Sequence, residues 1–428
     1  MSNTLKVAAL AVLAVAASTV YADPATTTGG IKVKTEDGRF EANVNGRIQF
    51  DYYMFSEDES ARVGTTPFGT GVAATGANRG GAAFRRAYLT LTGKAYGWDY
   101  KFENDFTAAG AGTSFREMWI GTTVGPGKLI IGQHKPFRGM EELTSSNELT
   151  LIERPNTTAT GIYAGRQFLT GLFYKGNTDT FGYGVHAASL QNSVASTEGH
   201  SFGGRAYYFP LSADGRTLHV GLGYSSDRED AGSLNAAPTF VYGGRRGATL
   251  TLGNAGAANA NTFGTQNTLH AELAGSFGPF TAQAEYAMAT LEDGFGPAAS
   301  PSDIDVVAYY AQASYFITGE SKVYKKDRGA FGSPKPINDF GAVELVARYE
   351  SSENKESEAG QARGCALGGV LAPAPNFSTC EASQITLGAN WYVNPNVRFM
   401  LNYYIAEADV GSGSDEPEAI TLRAQMSF

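Results

Sequence analysis

Cysteine and histidine are both scarce in this chain. Of 428 residues, two are cysteines, Cys365 and Cys380, and five are histidines, at 134, 186, 200, 219 and 270. None of the histidines has metal-ligand spacing. No His-Glu-x-x-His helix, Gly-x-Ser-x-Gly elbow or Gly-rich phosphate loop occurs. The residues therefore offer no catalytic set, no metal site and no cofactor motif. Charge is low as well, at 18% of residues, and acidic in balance without a basic stripe, which argues against nucleic acid as a partner. After the first 22 residues no apolar run reaches ~18 residues, and mean hydropathy is −0.21, so a helical membrane protein is excluded. Ala, Glu, Lys and Leu do not dominate, as a long coiled coil requires. An aromatic content of 12% is too high for a disordered chain.

What is present is glycine, 53 residues of it, with abundant Tyr, Phe and Thr. That composition belongs to a large β protein. Residues 1–22 read as a secretory signal peptide. Lys6 supplies the positive start, Val7 to Ala17 the apolar core, and Val20-Tyr21-Ala22 a small-x-small cleavage site. Without Lys6 the mature chain has 32 basic and 42 acidic residues, a net charge of −10. Export places Cys365 and Cys380 where a disulfide persists, and the two are expected to be bridged. Residues 23–39 are expected to form an N-terminal periplasmic segment, with the remainder, 40–428, in one β domain.

Alternation is the main signal in that domain. From Phe40 to Met54 the even positions (Phe40, Ala42, Val44, Ile48, Phe50, Tyr52) are apolar. The odd ones (Glu41, Asn43, Asn45, Arg47, Gln49, Asp51) are polar. Such a strand is far longer than the ~5–6 residues usual in soluble sheets. The pattern recurs and predicts sixteen strands: 40–54, 86–95, 98–106, 115–124, 128–133, 166–174, 181–190, 201–209, 217–225, 268–277, 280–290, 305–316, 340–350, 383–392, 397–406 and 419–428. Short turns (Tyr96-Gly97, Gly125 to Gly127, Gly278-Pro279, Asn394 to Asn396) follow even-numbered strands. Long polar segments (55–85, 134–165, 226–267, 351–382) follow odd-numbered ones. An even strand count with short turns at one end and long loops at the other marks a transmembrane antiparallel β-barrel of the bacterial outer membrane. The fold class is all-β, because in hydrocarbon only helices or closed barrels satisfy the backbone. Residues 317–339 break the rule as a long basic connection on the short-turn side. Segment 134–165 is too long for a plain hairpin, and both are candidate functional loops.

Sixteen strands enclose an aqueous channel, and 23–39 is too short for a plug domain. Arg47 has lumenal parity in its own strand. In Phe84 to Leu91 the apolar parity is Ala87, Leu89 and Leu91, so Arg86 and Tyr88 face the lumen. Arg85 has outward parity and is expected at the strand's end or on a bent loop, because a lipid-facing charge at mid-depth costs ~2–4 kcal/mol. The alternative reading has these arginines neutralised by wall carboxylates such as Asp51 or Glu103. His219 and His270 have the parity of polar wall residues. Arg245-Arg246, between glycines in a long loop, would by default be solvated surface.

Seven segments in order, NGRIQFDYY (45–53), FRRAYLTLTG (84–93), GQHKPFRGMEELTSS (132–146), ERP (153–155), AQAEY (282–286), YYAQASYFITGE (309–320) and LGANWYVN (387–394), resemble the phosphate-selective porin O and P family. The resemblance implies a trimeric sixteen-stranded outer-membrane barrel that passes small anions. It implies a constriction at Arg47 and at the Arg85-Arg86 pair, with Tyr88 beside it. Lys325 and Lys335 match two lysines of a periplasmic-side cluster, and Arg245-Arg246 fall, loosely, where the family places an arginine ladder. Departures are Arg116 where phosphate-specialised members carry an acid, and Glu142, beside Glu141, and Asp99 where they carry lysines. The expected function is an anion-preferring channel for phosphate or related oxyanions. A general, weakly selective porin is the alternative, and an outer-membrane hydrolase a distant one.

Overall fold

Alternate side chains of a strand leave on opposite faces, and here the outer face is the apolar one. Along Phe40–Phe55 (β1), Ile48, Phe50, Tyr52 and Met54 are exposed on the outside, whereas Gln49, Asp51 and Tyr53 are buried inside. This inversion of a soluble core is what a lipid-facing wall requires. The computed structural model of the chain describes residues 30–55, 80–107, 114–190, 199–213, 215–229, 238–253, 265–295, 302–357, 366–367, 370–371, 379–409 and 414–428.

Sixteen antiparallel strands make the wall. After β1 come Gly81–Ala95 (β2), Trp98–Asp105 (β3), Ser114–Val124 (β4), Gly127–His134 (β5), Leu169–Asn177 (β6), Phe181–Ser189 (β7) and Gly199–Ala213 (β8). Arg216–Glu229 (β9), Thr265–Phe277 (β10), Phe280–Phe295 (β11), Ser302–Phe316 (β12), Ala342–Asn354 (β13), Glu381–Tyr392 (β14), Val397–Asp409 (β15) and Glu418–Ser427 (β16) complete it. Each pairs with its neighbour in sequence, and β1 pairs with β16 from Arg47↔Ser427 to Phe55↔Ala419, which closes the barrel. Phe428 and Gly46 exchange both backbone hydrogen bonds, at 2.9 and 3.1 Å. Glycine is required at 46, because a Cβ there would lie 2.7 Å from the Phe428 ring and 2.5 Å from the Tyr88 carbonyl.

All sixteen predicted strands are present. The sheet also begins earlier than Phe40, since Ile31–Lys34 pairs with the start of β1. Ser414–Asp415 adds a short pairing to β15. Tight turns sit after the even-numbered strands other than β12, with Tyr96 and Gly97 both at positive φ (49° and 84°) in the first of them.

Among the register shifts of the wall, two beside the arginine pair change the simple parity there. In the β1–β2 pair, Gln49 opposes Arg86 and Phe50 opposes Phe84, so Arg85 is an extra residue. Arg85 therefore lies within β2 rather than at its end, and its side chain still enters the lumen because a bulge re-aims the strand. In the β3–β4 pair, Phe102 opposes Met118 and Asn104 opposes Phe115, which gives Arg116 and Glu117 two places against Glu103 alone.

Both unusual segments fold into the barrel. Residues 135–168, between β5 and β6, cross the lumen almost wholly buried, with one helical turn at Met140–Leu143. Residues 317–341, between β12 and β13, carry a hairpin, Val323–Lys325 with Ala330–Gly332, that rises from the short-turn end. The two meet where Phe331 and Ala330 pack on Met140. At the other end Thr239–Val241, Thr249–Thr251, Ala366–Leu367 and Val370–Leu371 form a small sheet. Its Phe240, Tyr242, Leu250 and Leu252 pack on Leu291, Ile304, Val306 and Ala406 of the wall. Cys380 is disulfide-bonded, and Cys365 lies outside the described residues.

Closure makes a direct test possible. Deleting residues 418–428 leaves β1 and β15 as unpaired edges. The outcome expected is loss of the heat-modifiable outer-membrane species on electrophoresis; its persistence would contradict the strand assignment.

Candidate functional site

A channel-lining cavity of ≈ 430 Å³ lies between the inward loop, the wall of β1–β8 and the hairpin of residues 317–341. Nine basic side chains line it against three acidic ones, Glu103, Glu117 and Asp327. Three of the residues expected at a constriction are there: Arg47, Arg86 and Tyr88. Arg47 lies over the Tyr88 ring at 4.7 Å, donates to Ser146 at 2.7 Å and pairs with Glu103 at 3.1 Å. Part of its charge is thus neutralised, as the alternative reading anticipated. Asp51 is not its partner. That carboxylate takes both bonds from Arg423, at 2.7 Å each.

The two arginines of the pair have different fates. Arg85 is locked to Glu153 of the inward loop by bonds of 2.7 and 2.9 Å. Arg86 donates to the neutral Gln49 Oε1 at 2.7 Å and has no acidic partner among the described residues. A guanidinium held by a neutral amide keeps its full charge for an anion.

Glycines 243 and 244, both at positive φ (72° and 81°), turn the loop before Arg245-Arg246 inward. Arg246 stacks over Tyr53 at 4.9 Å. Arg245 is exposed, and the positive charge of Arg85, followed by desolvation, lowers its pKa. These two are therefore not plain solvated surface, because they stand above the Arg85-Arg86 pair.

Arg116 is also committed, pairing with Asp105 at 2.9 Å and lying 5.7 Å from the Tyr88 ring. Glu141 and Glu142 turn away from the channel as struts of the inward loop. Burial and the neighbouring Glu285 raise the Glu141 carboxyl. Burial opposes ionisation of Glu142 too, but Lys135 and Arg154 outweigh it and hold that carboxyl below its usual range. Asp99 pairs with Lys128 at 2.5 Å.

Lys325 and Lys335 do not line the cavity; Lys335 is exposed outside it. The lysines near the short-turn end belong to the wall instead: Lys101 on β3, Lys128 on β5 and Lys175 on β6, with Arg328 from the hairpin. Lumenal parity with Glu103 was the available signal for Lys101. Lys128 and Lys175 oppose each other across β5 and β6, a register invisible before folding. Lys135, Arg154 and Arg205 complete the basic set.

Among the described residues, His270, Glu272 and Glu285 are the group able to hold a metal ion. Each is already engaged. Glu272 takes two bonds from Arg205, Glu285 accepts from Tyr310 at 2.7 Å, and His270 faces Glu285 at 2.5 Å. This is a hydrogen-bonded wall rather than an open coordination sphere.

The family model for phosphate-selective porin O and P matches residues 68–428. Porin O of Pseudomonas aeruginosa is 31% identical, the match covering 98% of this chain and 97% of that protein. Among solved structures, the outer-membrane channel DcaP of Acinetobacter baumannii superposes with a TM-score of 0.55 at 12% identity. That match covers 94% of this chain and all of DcaP. The anion-selective porin from Comamonas acidovorans gives 0.52, also at 12%, covering 91% of this chain and 100% of that porin. At these identities the structural matches show the fold alone.

One cavity cation responds to pH. Burial, and then Arg154, push the Lys135 ammonium down to about 8, with Glu142 acting the other way. Lys135 is charged below that pH and neutral above it. Anion preference, read as reversal potential in a salt gradient, should fall between pH 7 and 9. Lys135→Met should remove that part of the pH dependence, and an unchanged profile in the variant would assign it to another group.

Proposed function

The chain belongs to the phosphate-selective porin O and P family, and from that premise we propose that it carries phosphate or related oxyanions along a path of three basic stations. It is an anion-preferring outer-membrane channel and not an enzyme. The observation that carries the path is the excess of nine basic over three acidic side chains in the lumenal cavity, in a chain whose formal charge is −9. Arg245 and Arg246 collect anions at the loop end. Arg86 and Arg47, beside Tyr88, receive them at mid-depth, and Lys101, Lys128, Lys175 and Arg328 pass them to the short-turn end.

Electrostatics support this order. Low-dielectric walls focus the field of fixed charges on a narrow lumen. Charges on outer loops act weakly beyond a Debye length of ~8 Å. Arginine presents a planar fork matched to oxyanion geometry, and its charge does not vary with pH. The pairing of Arg47 with Glu103 favours passage over tight capture, since a channel must also release its ion. The leader, residues 1–22, is removed on export, and the barrel assembles as a homotrimer in the outer membrane. OmpT, an outer membrane protein of Vibrio cholerae with the same fold, is described in a trimer form.

Neutralising the mid-depth pair (Arg47→Gln with Arg86→Gln) removes two donor forks worth ~1.5–3 kcal/mol each as charge-assisted bonds. Water re-solvates the ion, so the net effect is smaller, about tenfold or more in the phosphate concentration that halves chloride current. Planar-bilayer recording should also show a shift toward cation preference. Neutralising Lys325 and Lys335 should leave block intact, because neither lines the cavity. Wild-type selectivity in the arginine variant would move the selective station elsewhere.

A further inference from the structure

We infer that Asp327, in the turn of the 317–341 hairpin, sets how fast an oxyanion leaves the channel, because its carboxylate competes with the passenger for Lys175 and Arg328. This rests on the anion reading above and adds to it the residue that governs release. Residues 326–329 form the turn between the two hairpin strands, Val323–Lys325 and Ala330–Gly332. Asp327 Oδ2 lies 3.9 Å from Lys175 Nζ on β6 and 3.7 Å from Arg328 Nε beside it. A second cavity of ≈ 310 Å³ adjoins the first at the short-turn end, bounded by the turn of residues 125–127 and by Asn177. Lys128, Lys175 and Asp327 line both, so an anion passing from one to the other meets them together.

The three acids of the lumenal cavity are not alike. Glu103 accepts from Thr90 at 2.9 Å and from Arg47 at 3.1 Å, and Glu117 lies 2.8 Å from Lys101; their side chains are 6% and 14% exposed. Asp327 is 58% exposed, and both of its cations stand beyond ordinary hydrogen-bond length. The other contacts of those cations are slight: Arg328 reaches Glu148 at 3.5 Å, and Lys175 reaches the Asp327 carbonyl at 3.5 Å. Lys128, by contrast, is closed by Asp99 at 2.5 Å. A carboxylate that faces two loosely held cations in water can yield them to an arriving oxyanion and then take them back. A tethered group of this kind acts at an effective concentration that is roughly millimolar, so it weakens retention of the passenger without closing the path.

The backbone around Asp327 is held without help from its carboxylate. Arg205 donates to the carbonyls of Arg328 and Gly329 at 2.6 and 2.7 Å, and Tyr207 donates to that of Lys326 at 2.8 Å. Arg205 is itself fixed by two bonds of 2.6 Å to Glu272. Gly329, at a φ of 58°, packs so closely that a Cβ there would lie 2.6 Å from the Tyr207 ring. The turn therefore keeps its place when the charge at 327 is removed.

Planar-bilayer recording with the full mature protein tests this through three variants, each checked for a heat-modifiable barrel. In Asp327→Asn the inorganic phosphate concentration that halves chloride current should fall about fivefold, the upper range for an exposed ion pair. Phosphate residence, read from current noise, should lengthen in proportion, and the saturated phosphate current should drop. Tighter retention with slower passage is a split that a loosened hairpin would not give. Asp327→Glu should restore wild-type block. Asp179→Asn removes the same charge from an exposed site 3.8 Å from Lys326, outside both cavities, and should leave block unchanged. An unaltered half-blocking concentration in Asp327→Asn would overturn the inference, and so would an equal shift in Asp179→Asn. Cation preference of the wild type, with no block by phosphate, would instead sink the anion reading beneath it.

Discussion

The channel depends on one requirement: the inward loop brings backbone carbonyls into the barrel with almost no helix or strand to satisfy them, so the wall must supply donors. Arg398 donates to the carbonyls of Leu149 and Thr150 at 2.7 and 3.2 Å, and Asn390 to Thr150 at 2.8 Å. Arg423 reaches Ile152 at 2.8 Å, Arg348 reaches Glu153 at 3.0 Å, Gln49 reaches Ser146 at 3.0 Å and Gln266 reaches Ile162 at 2.8 Å. These tethers come from β1, β10 and β13–β16, so the loop is strung across the lumen. Bonds from charged donors contribute about 1.5–3 kcal/mol each, and an unmet buried carbonyl costs a similar amount. The loop's course, and hence the shape of the cavity, follows from where those donors stand.

The lumen therefore contains two populations of arginine with opposite duties. Arg138, Arg348, Arg398 and Arg423 are buried and spent on carboxylates and loop carbonyls. Arg86 and Arg245 lack carboxylate partners among the described residues and present charge to the channel. Arg47 and Arg85 lie between these limits, each with one carboxylate. A count of arginines by lumenal parity mixes the two populations, because parity states which side a residue faces and not what meets it there. The hairpin of residues 317–341 shows the same division. Its Lys322 is buried against Glu344 at 3.1 Å, whereas its Arg328 faces the cavity.

The strands were legible because lipid imposes a period-two pattern that few other environments impose. Every predicted strand exists, and the closing contact at Phe428 follows from a chain that ends on an alternating segment. Arg47, Arg86 and Tyr88 were legible for the same reason. Arg85 was read by strict alternation and misplaced, since a single extra residue opposite Gln49 and Phe50 resets the parity. The resemblance points to Lys325 and Lys335, whereas the lysines that line the cavity from the wall are on β3, β5 and β6. Lys101, Lys128 and Lys175 are 27 to 74 positions apart in sequence, and only the shear of the closed sheet puts Lys128 opposite Lys175.

The sequence by itself determined the barrel, its strand count, which face meets lipid and which arginines could face water, because each depends on local alternation and on the rule that hydrocarbon leaves no backbone group unpaired. Only the tertiary structure decided which charges remain available to an anion. That depends on contacts such as Arg85 with Glu153, Arg423 with Asp51 and Arg86 with Gln49, which join residues 37 to 372 positions apart. Neutralisation falls off over a few ångströms, and no local pattern in the chain records distances of that kind.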